Sequence, residues 1–182
     1  MTLTTDRLTL REIKLTDWEE IFRMQNDPEY RKFNPWEDQN EQKIKTLTDR
    51  FLGWQTEEPR KNYQFVIEDE NNSFVGSTGI HSVHTKHRDA EFGIRLCPSR
   101  WGNGFATEVA RRMLNFGFND LELHRIAVET IADNLPAIDL CNRLGMKYEG
   151  RFREHKWRNG KWYDSLRFAI IDHEWQVILS RL

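Results

Sequence analysis

Cysteine is scarce in this chain: Cys97 and Cys141 are the only two in 182 residues. Two thiols so far apart build no disulfide framework and match no metal-ligand spacing. They read as free thiols of a reducing compartment, so the cytoplasm is the expected location. Long apolar runs are missing too. No stretch is long enough to span a bilayer, and the opening MTLTTDRLTLREIKLTDWEE has no apolar core of the signal-peptide kind. Neither secretion nor a membrane anchor is therefore expected. Nor does charge of one sign dominate. Lys and Arg number 27 against 29 Asp and Glu, a net charge of −2. That balance gives no electrostatic case for nucleic acid or a membrane surface as partner. Low-complexity tracts, internal repeats and long linkers are also lacking, and the length suits one domain over residues 1–182. What the chain does have is aromatic bulk, 12% of residues with seven Trp, enough for a substantial core.

RLTLREI, residues 7–13, alternates as a strand does. TDWEE then opens a helix, with Thr16 and Glu19 at capping-box spacing. NDPEYRKFNPWEDQ reads as a loop broken by Pro28 and Pro35. Residues 40–56 carry a thin apolar stripe of Ile44, Leu47, Phe51 and Leu52 and read as a polar helix. NYQFVIEDENNSFVGSTGI reads as a hairpin around an acidic turn, and DAEFGIRLCP as a strand ended by Pro98. Residues 104–119 read as a helix, HRIAVET as a buried strand, and NLPAIDLCNRLG as a short helix stopped by Gly145. Two strands then flank the Asn159–Gly160 turn, before a short terminal helix in DHEWQVILSRL. The order β-α-α-β-β-β-α-β-α-β-β mixes hairpins with strand–helix–strand crossovers. It implies an α+β fold, a central mixed and mostly antiparallel twisted sheet with helices on both faces.

RWGNGFATEVARRML, residues 100–114, places two glycines at the mouth of a helix. First-turn N–H groups lack intrahelical partners, and the helix dipole favours negative charge there. Gly102 and Gly104 let the backbone approach a phosphate with no Cβ in the way. The spacing is not that of a P-loop, since no Lys-Ser/Thr pair follows, nor G-x-G-x-x-G, since position 107 is Thr. Taken alone, a simple turn and an anion cradle fit about equally well.

The surrounding motifs favour the cradle. The stretch Trp101 to Ala106 falls on the Q/R-x-x-G-x-G/A pattern of a known family, with Trp101 replacing the usual Gln or Arg. NLPAIDLCNRLGMKYEG, residues 134–150, has that family's Asn-led helix ending in a Leu-Gly-Met step. The opening RLTLREIKLTDWEEI and the late EGRFREHKWRNGKWYDSLRFAI are similar to one branch of it. With three motifs in order over nearly the whole chain, the sequence resembles the GNAT superfamily of acyl-CoA-dependent N-acyltransferases, RimJ/RimL branch. The resemblance implies a single GNAT-like domain, acetyl-CoA as co-substrate, and a primary amine as acceptor, with a protein N-terminus such as that of a ribosomal protein among the candidates. It also implies a set of binding residues. The amides of Trp101, Gly102, Asn103, Gly104, Phe105, Ala106 and Thr107 would hold the pyrophosphate. Ile94, Arg95 and Leu96 would hold the pantetheine arm as an added strand. Asn134 and its helix, with Arg143, would lie along the other side.

Acyl transfer to an amine needs a group to take the amine proton and one to protonate the leaving thiolate. Glu91, on the strand before the glycine turn, is the first candidate base, at a position where several family members carry a catalytic Glu. A surface-facing polar residue of an alternating strand fits it about as well. Glu154 and Asp164 are weaker substitutes. The family's usual acid is a Tyr seven residues after the Asn, or a Ser three residues after it. Here those positions are Cys141 and Ala137. Cys141 could donate, but a buried structural thiol suits it better, so direct transfer with a proton from water or the substrate ammonium is expected.

Other features carry less. His81, His84 and His87 recur every third residue but follow a strand, and a polar loop near the substrate mouth suits them better than a metal. The acidic run 36–42 could receive a cationic substrate, though such runs are usually just solvated. Phe33 and Trp36 are candidates for the acceptor pocket, which loops 27–40, 81–88 and 155–165 would shape. Alternatives left open are a small-amine acceptor (polyamine, amino sugar or antibiotic), a non-catalytic acyl-CoA sensor, and a phosphate-binding domain unrelated to CoA. An exposed hairpin edge leaves room for a homodimer across a two-fold axis.

Overall fold

The computed structural model describes residues 1–34 and 40–180. Eight strands form one sheet: β1 Thr2–Thr4, β2 Thr9–Glu12, β3 Tyr63–Glu68, β4 Phe74–His84, β5 Asp89–Leu96, β6 Arg125–Ile131, β7 Lys147–Arg158 and β8 Lys161–Ile171. Their order across the sheet is β1-β2-β3-β4-β5-β6-β8-β7. Every neighbouring pair is antiparallel except β5 and β6. Among the described residues, six α-helices cover the faces: α1 Trp18–Gln25, α2 Pro28–Phe33, α3 Glu41–Trp54, α4 Phe105–Asn115, α5 Leu135–Arg143 and α6 Asp172–Leu179. The α+β expectation, mixed sheet and two covered faces included, is met.

Alternation within the strands builds two cores. On one face Leu10, Phe65, Ile67, Ile80, Phe92, Ile126 and Ile170 pack with Val109, Ala110 and Met113 of α4, Leu140 of α5 and Trp175 of α6. Trp175 is fully buried and donates its indole N–H to Asn115 Oδ1 at 2.8 Å, so its polar edge is satisfied. On the other face Ile13, Ile21, Ile44 and Val66 form a smaller cluster under α1 and α3, flanked by Trp18, Phe22 and Phe51.

Local signals and observed elements part in three places. Residues 28–33, expected as loop, are helical. Asp27 Oδ1 accepts from the Glu29 amide at 2.8 Å, and Pro28 stands at the first helical position, where its missing N–H costs nothing. Asp17, not Thr16, closes the turn before α1. Its Oδ2 accepts from the Lys14 amide at 2.6 Å, and a single 3-10 turn over Leu15–Asp17 precedes the helix. The short β1 was not anticipated either; three residues give no readable alternation. The expected helix over 104–119 is α4 continued by a π-turn at Phe116–Asp120. Both residues of the β7–β8 turn, Asn159 and Gly160, have positive φ, as a tight hairpin of this twist demands.

Candidate active site

Parallel β5 and β6 pair only over Asp89–Glu91 against Arg125–Ala127. Beyond that they separate, β5 staying bonded to β4 and β6 to β8. Their facing edges therefore line a cleft without ladder partners. An extended molecule carrying amides can bond along such an edge.

A cavity of about 530 Å³ runs along this cleft to the N-terminus of α4. Of the residues expected to hold the cofactor, all except Asn103 line it. Asn103 braces the turn instead, its Nδ2 donating to the carbonyls of Arg100 and Trp101 at 3.1 Å each. Gly102 and Gly104 have φ of +77° and +79°, left-handed values costly for any residue with a Cβ. A Cβ at Gly102 would meet nothing within 4 Å, so the turn's surface is open to a ligand. The positive N-terminal end of α4 and a strand edge without a neighbouring strand leading to it fit a molecule with a pyrophosphate and an amide-bearing arm.

The turn is held from behind by the N-terminal strand loop. Glu108, in the first turn of α4, accepts from Thr5 Oγ1 at 2.6 Å, from the Arg7 amide at 3.0 Å and from Arg7 Nε at 2.8 Å. Burial pushes the Glu108 carboxyl up, but these bonds outweigh it and hold the group below the ordinary carboxylate range. The Arg7 guanidinium also covers the Phe105 ring, 4.6 Å from its centroid. Trp101 keeps its place without the usual Gln or Arg. Its indole N–H donates to the Leu96 carbonyl at 3.0 Å, and its ring meets Phe33 edge-on at 5.8 Å. Phe33 thus borders this cleft, with Tyr30 and Asn34 beside it. Sequence reading missed the contribution of α2, for which the Asp27–Pro28 start was the available signal.

The inner end of the cleft is a smaller space of about 180 Å³ between β5, β6 and α5, reached by Ala137 and Cys141. Asn134 caps α5, its Oδ1 accepting from the Ala137 amide at 3.2 Å. Burial pushes the Cys141 thiol up to about 12, which makes it a poor proton donor.

A second cavity, about 560 Å³, lies on the opposite face of the sheet. Gln64, Ser77, His81 and Arg95 form its floor, and Ile21, Met24, Gln25, Ile44, Leu47, Phe51 and Trp54 from α1 and α3 much of its wall. His81 is here, within β4 rather than in a loop. Its Nε2 is 2.8 Å from Gln64 Oε1 and its ring 5.4 Å from Trp54. Burial, with Arg95 adding to it, pushes its pKa down to about 4, so the ring is neutral near pH 7. His84 and His87 stack on each other at 4.3 Å, and among the described residues no cluster suited to a metal ion exists.

Glu91 pairs with His81 across β4 and β5 and so shares the face of this second cavity. It is 52% exposed and accepts from Arg167 Nη1 at 3.0 Å. Asp164, one of the substitutes considered, is engaged elsewhere: it accepts from the Glu154 amide at 2.6 Å and from Arg151. Trp36 and most of the acidic run 36–42 lie outside the described residues. Within it, Asn40 caps α3 and Glu41 pairs with Lys45.

Residues 7–147 match the family model described as Acetyltransferase (GNAT) domain, and the chain belongs to that family. It is 30% identical over 179 residues to "Uncharacterized N-acetyltransferase p20" of Bacillus licheniformis, covering 96% of this chain and 98% of that one. It is 31% identical over 112 residues to a spermidine N(1)-acetyltransferase of Vibrio cholerae, covering 62% of this chain and 65% of that one. Among solved structures, a spermidine N-acetyltransferase from Vibrio cholerae in complex with CoA and spermine superposes with a TM-score of 0.80 at 26% identity, over 93% of this chain and 98% of that one. The protein is accordingly an acetyl-CoA-dependent N-acetyltransferase, which sets aside the sensor and bare phosphate-binding readings.

Proposed function

We propose that this enzyme acetylates a primary amine at the end of a peptide or protein, in the manner of the RimJ/RimL branch, the amine being seated in the cavity under α1 and α3. The observation that carries this is the lining of that cavity. Its described residues combine apolar walls with Lys43, Arg50 and Arg95, and include no carboxylate. Such a lining suits an amine on a neutral or apolar body better than a polycation, whose remote ammonium groups need anionic partners. An α-amine also asks less of the catalyst. With a pKa of roughly 7.7–8.0 it is partly neutral at pH 7, whereas a lysine-like amine near ~10.4 is almost wholly charged. Glu91 serves as the base, directly or through water, and Arg167 orients its carboxylate. The amides of residues 101–107 hold the pyrophosphate, the β5 edge at 94–96 the pantetheine arm, and Asn134, Arg143 and α5 the far side. The thiolate is protonated by water or the incoming ammonium rather than by Cys141. The whole chain acts as one cytoplasmic domain, with the outer β7 edge of the sheet available to a second copy.

A second reading, a small polyamine as acceptor, is favoured by the spermidine acetyltransferases among the relatives. Release of free CoA from acetyl-CoA decides between them, measured with free-N-terminus peptides, polyamines and aminoglycosides in parallel. Turnover with peptides supports the proposal, and turnover confined to polyamines or aminoglycosides overturns it.

A further inference from the structure

Gly93 has no reason within the protein to be glycine. It sits in the interior of β5, paired with Gly79 of β4, where glycine weakens a strand. Its φ is not among the positive values that glycines 76, 102, 104, 145 and 160 adopt, so an ordinary residue fits the backbone. A Cβ built on it meets nothing within 4 Å. Gly79 differs. A Cβ there would stand 2.5 Å from His81 Nε2 and 2.8 Å from Gln64 Oε1, so the His81–Gln64 pair fills the space above it. The space above Gly93 stays open.

Alternation puts Gly93 on the face of Glu91 and Arg95, with Phe92 and Ile94 turned into the α4 core. Gly93 lines the inner end of the cleft. Its neighbours on that face, Ser77, His81 and Arg95, line the opposite cavity. Arg95, two residues on and on the same face, lines both spaces, which puts the bare backbone of Gly93 beside their junction. A glycine that neither conformation nor packing requires marks a close approach by a ligand.

We propose that Gly93 is the window through which the acceptor amine reaches the thioester, and that the volume of one Cβ is what its passage uses. This rests on the acyl-transfer reading of the site. The amine nitrogen bonds to the carbonyl carbon, the C–S bond breaks, and the surplus amine proton ends, by way of water, on the released thiolate. His81 flanks the window as a neutral ring, so it does not repel an amine that still carries its proton. Peptide acceptors with a small first residue pass the window more readily than those with a bulky, β-branched one.

The test compares the full chain with Gly93→Ala and Gly93→Val, measuring thermal midpoint, acetyl-CoA affinity by calorimetry, and kcat/KM for the best acceptor. Since the added Cβ meets open space and an ordinary φ, the Ala variant should melt no lower than wild type. Acetyl-CoA affinity should stay within about threefold. Acceptor kcat/KM should fall about 10-fold for Ala and 100-fold or more for Val, the scale of a misplaced reacting group. A Val variant within threefold of wild type overturns the proposal. So does an Ala variant that loses thermal midpoint and acetyl-CoA affinity together, which would make Gly93 a packing residue. A wild-type chain that binds no acetyl-CoA overturns the reading of the whole site before any variant is compared.

Discussion

Glu91 on β5 and Arg167 on β8 meet across intervening β6, Arg167 Nη1 lying 3.0 Å from Glu91 Oε1. The contact fixes the carboxylate above the strand that borders both cavities while leaving it half open to water. As base, Glu91 should be replaceable by Gln only at large cost. Glu91→Gln is expected to lower kcat by about 10²–10⁴-fold with acetyl-CoA affinity unchanged, the range for a lost acid–base group. Steady-state kinetics beside a binding titration checks this; a kcat within threefold of wild type would remove Glu91 from the chemistry.

The glycine turn makes a different prediction. Gly104 stands at φ +79° with Arg7 Nη2 3.6 Å from where a Cβ would lie. Gly104→Ala forces an alanine into the left-handed region at a cost of roughly 1–2 kcal/mol, borne by the turn proposed to bind the cofactor. The KM for acetyl-CoA should rise about tenfold, which matches that energy, with the acceptor KM little changed. An equal rise in both constants would mean that the turn does not hold the cofactor.

Cys141 occupies the family's acid position but is buried, with its thiol held near 12. Cys141→Ala should leave kcat within a few-fold. A loss on the order of 10²-fold would show that the thiol does donate. Melting curves should report a modest destabilisation, since a small buried group is removed from a packed helix.

His81 predicts a pH dependence of stability. Its folded pKa is lowered to about 4, against about 6.5 unfolded, because the charged ring is penalised by burial and by Arg95. Between those values the unfolded chain binds more protons than the folded one. The contribution is therefore complete above pH 6.5 and lost as pH falls toward 4, about 3 kcal/mol over the window. Thermal midpoints from pH 7 to 4.5 should fall more steeply for wild type than for His81→Gln. Parallel curves would place the ring in water.

Much of this protein is legible in short windows of sequence. The Gly102–Gly104 turn, the β5 strand leading to it, the Asn134 cap of α5 and the Asn159–Gly160 hairpin all lie where local chemistry puts them, because each depends on residues within a few positions. Family motifs pointed to the same cleft for the same reason, since most of its wall comes from two short segments. Even α2 had a local signal, the Asp27–Pro28 start, which the following Pro35 obscured.

What local windows could not supply is the set of contacts between distant segments. Glu108 is bound by Thr5 and Arg7 from about a hundred residues away, and Glu91 by Arg167 from 76 away. His81 reads as a loop histidine until β3 brings Gln64 beside it and α3 brings Trp54 over it. The second cavity comes from α1 and α3 lying across β3, β4 and β5. The openness above Gly93 exists only because β4 sets Gly79 beside it and β6 turns away. Sequence alone determined most of the elements and the glycine turn, because these follow from periodicity and capping. Tertiary structure decided which side chains share a cavity, because that depends on strand register and on the divergence of β5 from β6.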